Sequence, residues 1–104
     1  MYQQDVVLCS ASRYTRKFYL NPDFQNLPDE VQKELKVMCV LFTEDVGGII
    51  LLMFDENGNL RIVTDAEEDD ILFDEIGCDL KVRQLQKTKR ELFEQLEEYY
   101  NTFF

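Results

Sequence analysis

The chain has 104 residues, 45% hydrophobic and 12% aromatic, with 21 acidic against 11 basic side chains and a net charge of −10. That composition suits one globular domain, residues 1–104, and excludes a disordered chain. It holds no apolar helical run of about eighteen residues, and so negative a surface repels nucleic-acid backbones and anionic membranes.

The N-terminal MYQQDVVLCSAS has no basic region ahead of its short apolar run and reads as no signal peptide. Asp5 to Cys9 predicts a strand centred on Val6, Val7 and Leu8. Ser10, Ala11 and Ser12 read as a turn. Tyr14 to Leu20 alternates, with Tyr14, Phe18 and Leu20 against Thr15, Lys17 and Tyr19, and completes a first hairpin. Asn21, Pro22 and Asp23 stop it, and Phe24 and Leu27 anchor the following loop to the core.

Pro28 with Asp29 and Glu30 starts a helix, because Pro fits the first turn and acids suit the positive end of the dipole. Val31, Leu35, Met38, Cys39 and Phe42 follow at helical spacing. Val37, Val40 and Leu41 add apolar positions off that stripe, which predicts a second half buried nearly all round. Gly47 and Gly48 end the helix in a left-handed cap.

Ile49 to Phe54 reads IILLMF, six apolar residues without alternation, as in a strand covered on both faces. Asn57-Gly58 then separates it from Leu60 to Asp65, a strong hairpin signal. Cover for both faces of IILLMF would come from helices on opposite sides of the sheet, or from a partner chain.

Beyond the acidic link at 66–70, Leu72, Ile76 and Leu80 form one helical stripe. The last segment has another: Cys78, Val82, Leu85, Leu92, Leu96, Tyr99 and Phe103, with Lys89 in the slot that completes the repeat. The two stripes point roughly 150° apart at 100° per residue, which predicts a bend or break between Gly77 and Lys81, or a long helix whose two halves contact different surfaces. The fold class is therefore α+β: two β-hairpins in one antiparallel sheet, a central helix and a long C-terminal helix, in the order ββαββα with a further helix if the last one breaks. That order is similar to longin and roadblock-like folds.

Three runs carry a family resemblance: MCVLFTEDVGGI at 38–49, LFDEIG at 72–77 and TKRELFEQLEEYY at 88–100. They resemble a family of short, acidic, uncharacterised proteins of unknown function from anaerobic Clostridia. The resemblance implies a cytoplasmic bacterial protein and brings no activity, cofactor or catalytic residue with it.

No constellation points to catalysis. The chain has no His, the commonest proton shuttle, and no phosphate-binding or nucleophile motif. Cys9, Cys39 and Cys78 are 30 and 39 residues apart and read as reduced, buried thiols of a cytosolic protein. Counted from Asp55, a calcium loop would need Gly sixth and Glu twelfth, but Gly58 is fourth and Ala66 twelfth. No metal or cofactor is therefore expected.

Charge is segregated. Glu44 to Asp79 holds twelve acids and only Arg61 as a base, whereas Lys81 to Arg90 holds five bases. Glu67, Glu68, Asp69, Asp70, Asp74 and Glu75 form a candidate surface for a basic protein partner. The basic block reads as internally balanced through Lys87–Glu91 and Arg90–Glu94 at helical spacing. Phe93, Tyr100 and Phe104, at the edge of the C-terminal stripe, form with Tyr99 and Phe103 of the stripe itself a candidate homodimer interface. The other outcome is that the loop around Phe24 covers them.

The leading functional reading is a non-enzymatic, cytoplasmic interaction module that self-associates. The alternatives are an acidic regulator or nucleic-acid mimic that binds a basic protein, and then a small carboxylate- or metal-dependent enzyme.

Overall fold

A computed structural model describes residues 5–104; residues 1–4, the start of the MYQQDVVLCSAS stretch, lie outside the described residues. Strand β1 spans Val6–Ser12 and β2 Lys17–Leu20. A 3-10 turn at Pro22–Phe24 leads to helix α1, Asp29–Val46. Strands β3, Ile49–Phe54, and β4, Leu60–Asp65, precede helices α2, Glu75–Thr88, and α3, Arg90–Phe103. The sheet is antiparallel throughout, in the order β2-β1-β3-β4, so both predicted hairpins form and the α+β order holds.

Ser10 to Ser12 are strand rather than turn. The ladder of β1 with β3 runs on to Ser12 opposite Ile49, which keeps these residues extended. The turn falls at 13–16. There the Ser12 hydroxyl accepts from the N–H of Tyr14 and Thr15, and Arg16 takes a left-handed φ of 56°. A register shift between Val7 and Cys9 turns both Leu8 and Cys9 into the core.

Helix α1 begins as expected, with Asp29 and Glu30 in its first turn. It stops at Gly47 and Gly48, both at positive φ. At Gly48 a Cβ would sit 2.5 Å from the Asp65 carbonyl oxygen, so the helix-to-strand crossing needs glycine. The buried stripe is Leu35, Met38, Cys39, Phe42 and Val46. Val37 and Leu41 are exposed, which corrects the expectation of all-round burial: the sheet covers one side of α1 only.

Both main helices lie on one face of the sheet. Cys9 pairs opposite Leu52, and its Sγ is 4.0 Å from that of Cys39 in α1. Phe54, on the same face as Leu52 by alternation, stacks on Tyr100 of α3. Among the described residues the expected cover on both faces of β3 is thus absent. Ile50, Leu52 and Phe54 are fully buried, whereas Ile49, Leu51 and Met53 point away from every helix and stay half-buried.

Helix α2 rests on α1 and α3. Asp74 caps it by accepting the N–H of Gly77 at 2.8 Å, and the helix runs on through Gly77. The break comes at Lys89 instead of between Gly77 and Lys81. No switch of face is needed near Gly77, because Ile76 and Leu80 stay in solvent, as does Leu72 ahead of the helix. The Cys78, Val82, Leu85 stripe then packs inward and continues into Leu92 and Leu96 after the bend. The Lys89 ammonium ties that bend to Glu34 of α1 at 2.9 Å. Phe24 and Leu27 are buried, as the loop anchor required.

Candidate interaction surfaces

The C-terminal aromatics are mostly used inside the chain. Tyr100 is only 8% exposed and stacks between Phe54 and Phe104, at 4.2 and 5.2 Å between ring centroids. Phe24, rising from the 3-10 turn, stacks on Phe104 at 4.8 Å. Phe93 and Tyr99 are half-buried against the core. Only Phe103 and Phe104 remain exposed, so the loop around Phe24 provides the cover and Tyr100 is a core residue. Two polar contacts hold α3 to the second hairpin. Glu97 accepts the Leu60 N–H at 2.7 Å, and the Asn101 side-chain amide donates to the Gly58 carbonyl at 3.4 Å.

The acidic segment borders an open cleft of about 750 Å³ lined by Asp65, Glu67, Glu68, Asp70, Glu75 and Asp79 among others. Several of its carboxylates are occupied locally. Asp70 accepts the Tyr14 hydroxyl at 2.6 Å and the Leu72 N–H at 3.0 Å; Asp74 caps α2. Tyr14 in turn accepts the Glu67 N–H at 2.8 Å and so pins the segment to the first hairpin. The Asp70 carboxylate pushes the Tyr14 phenol above its ordinary range. Sequence alternation placed Tyr14 in a strand and missed this role. Glu67, Glu68, Asp69 and Glu75 project freely. Beside them stand Ile71, 93% exposed, Leu72, 85%, Ile76, 77%, and Leu80, 61%.

At the 55–59 turn, Asp55 accepts the N–H of Asn57 and Asn59 and the Nε of Arg61, at 2.8 to 3.0 Å. The Asn59 N–H first, then Arg61, holds its carboxyl below the usual range. That carboxylate closes the hairpin. The basic block is balanced across helices: Lys81 meets Asp45 at 2.8 Å and Lys89 meets Glu34. The predicted pairs Lys87–Glu91 and Arg90–Glu94 are not among the ion pairs of the described residues. Between these bridges, α1 and α2 leave a groove of about 450 Å³ over Val37, Met38, Leu41, Phe42 and Leu85.

The outward sheet face is the fourth surface. The registers align its side chains in rows across the strands: Lys17, Ser12, Ile49 and Asp65; then Tyr19, Ser10, Leu51 and Val63; then Val7, Met53 and Arg61. An antiparallel sheet with one solvated face normally alternates apolar-in with polar-out. Here the centre of the outward face is Leu51, flanked by Ile49 and Met53, with Val7, Tyr19 and Val63 around it.

Among the described residues no helix is long and apolar enough to cross a membrane. Searches of curated proteins and of solved structures return no match. A family model covers residues 5–104, nearly the whole chain and all three runs that carried the resemblance: the protein belongs to the family of unknown function DUF6145.

Proposed function

We propose that the protein is a non-enzymatic interaction module that self-associates through the outward face of its sheet. One observation carries this reading: β3 is apolar on both sides, and the chain's helices cover only one of them. Ile49, Leu51 and Met53 stand outside the packed core of the chain, so their apolar character fits a face that is removed from water in the working assembly. The three buried free thiols, with Cys9 and Cys39 in contact as thiols, favour a reducing compartment such as the cytoplasm.

The test is the oligomeric state of purified protein with and without Leu51→Lys. Leu51 is not part of the packed core, so the variant is expected to fold. Wild-type protein that stays a single chain at micromolar concentration overturns the proposal.

The aliphatic residues Ile71, Leu72, Ile76 and Leu80 among exposed acids favour a second reading, a dock for a basic amphipathic segment of another protein. A synthetic Lys/Leu amphipathic peptide is the probe. Binding that is unchanged by Glu67→Lys, Glu68→Lys and Asp69→Lys together excludes it. Asp70 is left intact, because it holds Tyr14.

A further inference from the structure

Resting on the reading that the outward sheet face is covered, we infer that its occupant is a second copy of this chain, seated with a two-fold axis parallel to the strands so that β3 of each copy lies over β1 of the other. A half-turn about an axis along the strands, midway between β1 and β3, keeps each cross-strand row at its own level and reverses its order. In the first row Lys17 then faces the partner's Asp65, and Asp65 faces the partner's Lys17. Ile49 meets the partner's Ser12. In the second row Leu51 meets the partner's Ser10 and Tyr19 meets the partner's Val63. In the third, Met53 meets the partner's Val7.

Size and charge both select this axis. The outward residues of β1 are small or short (Ser12, Ser10, Val7), and those of β3 are large (Ile49, Leu51, Met53). Laying β3 on β1 sets bulk against small, as close packing between layers needs. An axis perpendicular to the strands would place Leu51 on itself and Ile49 on Met53, bulk against bulk. It would also bring Asp65 to Arg61, whose guanidinium already holds Asp55 at 2.8 Å. Among the described residues Lys17 forms no ion pair, and the Asp65 side chain accepts only the adjacent Ala66 N–H. Packed sheets lie about 10 Å apart with strands within about 30°, a gap that a lysine and an aspartate side chain together bridge.

Zero-length carbodiimide coupling of the purified full chain tests the arrangement. Within one chain Lys17 and Asp65 stand on opposite edge strands, three strand spacings or about 14 Å apart, too far for direct coupling. An amide between them therefore joins two copies. The expected result is a covalent dimer whose digest contains the Lys17–Asp65 link. Lys17→Arg should keep the dimer in light scattering and lose that link. Lys17→Glu and Asp65→Lys should each weaken association about tenfold, and the two together should restore it to within about twofold. A dimer that lacks the link, or a double reversal as weak as the single ones, overturns this axis and leaves self-association standing. A single chain at every concentration removes both.

Discussion

The rings of Phe54 and Tyr100 lie 4.2 Å apart with 9° between their planes, so the last turn of α3 is seated on the end of β3. Tyr100→Ala should therefore lower stability by about 3–5 kcal/mol, the range for emptying a buried aromatic site. Phe103→Ser, on the exposed side, should stay within about 0.5 kcal/mol of wild type. Urea unfolding compares the two. Equal losses would contradict the placement of Tyr100 in the core.

Thiol ionisation should make the fold alkali-sensitive. The adjacent Cys39 sulfur, and then burial, pushes the Cys9 thiol far above its ordinary range. An unfolded cysteine ionises near about 8.5. Below that pH both states hold the proton and the contribution is complete. Above it the unfolded chain releases the proton while the folded chain keeps it, so stability falls as pH rises, with a slope of up to about 1.4 kcal/mol per pH unit. Denaturation midpoints from pH 7 to 10 should decline, and the decline should be shallower in Cys9→Ala. A flat profile would contradict the buried thiol pair. For the same reason iodoacetamide should not label Cys9 in the folded protein.

The second hairpin depends on two turn residues. Gly58 has a φ of 80°, and a Cβ there would run into the Asn101 side chain. Gly58→Ala should cost about 1 kcal/mol or more by thermal unfolding, because alanine is strained at this left-handed φ and the Asn101 amide must move aside. Asp55 titrates below the usual carboxylate range. Its stabilising effect is present above the unfolded value and is lost as pH falls through the folded one. An acid titration of Asp55→Ala should lack that part of the loss, and an unchanged acid profile would show that Asp55 contributes nothing there.

Much of this fold was legible in the sequence because its signals are local. Asn57-Gly58 dictates a hairpin whatever surrounds it, and Pro28 with Asp29 and Glu30 dictates a helix start. The seam from Cys78 to Leu96 also packs as its spacing required. The side of the sheet on which each helix settles was not legible. Periodicity gives the apolar face of an element but not the neighbour it meets, so IILLMF predicted two covered faces and the described residues supply one. Leu72, Ile76 and Leu80 misled in the same way, because a helical stripe looks alike whether it faces a core or solvent. Lys89 was visible only as a gap in the repeat, and its tie to Glu34 needs the tertiary fold. Likewise Tyr100 could be assigned to the core only once Phe24, far away in sequence, was seen stacking beside it.

Light scattering on purified wild-type and Leu51→Lys protein, across micromolar concentrations, tests the central claim most directly. One chain weighs 12.4 kDa. Self-association through the outward sheet face predicts twice that mass for wild type and a folded single chain for Leu51→Lys. A wild-type mass of one chain throughout, or a Leu51→Lys protein as dimeric as wild type, would contradict it.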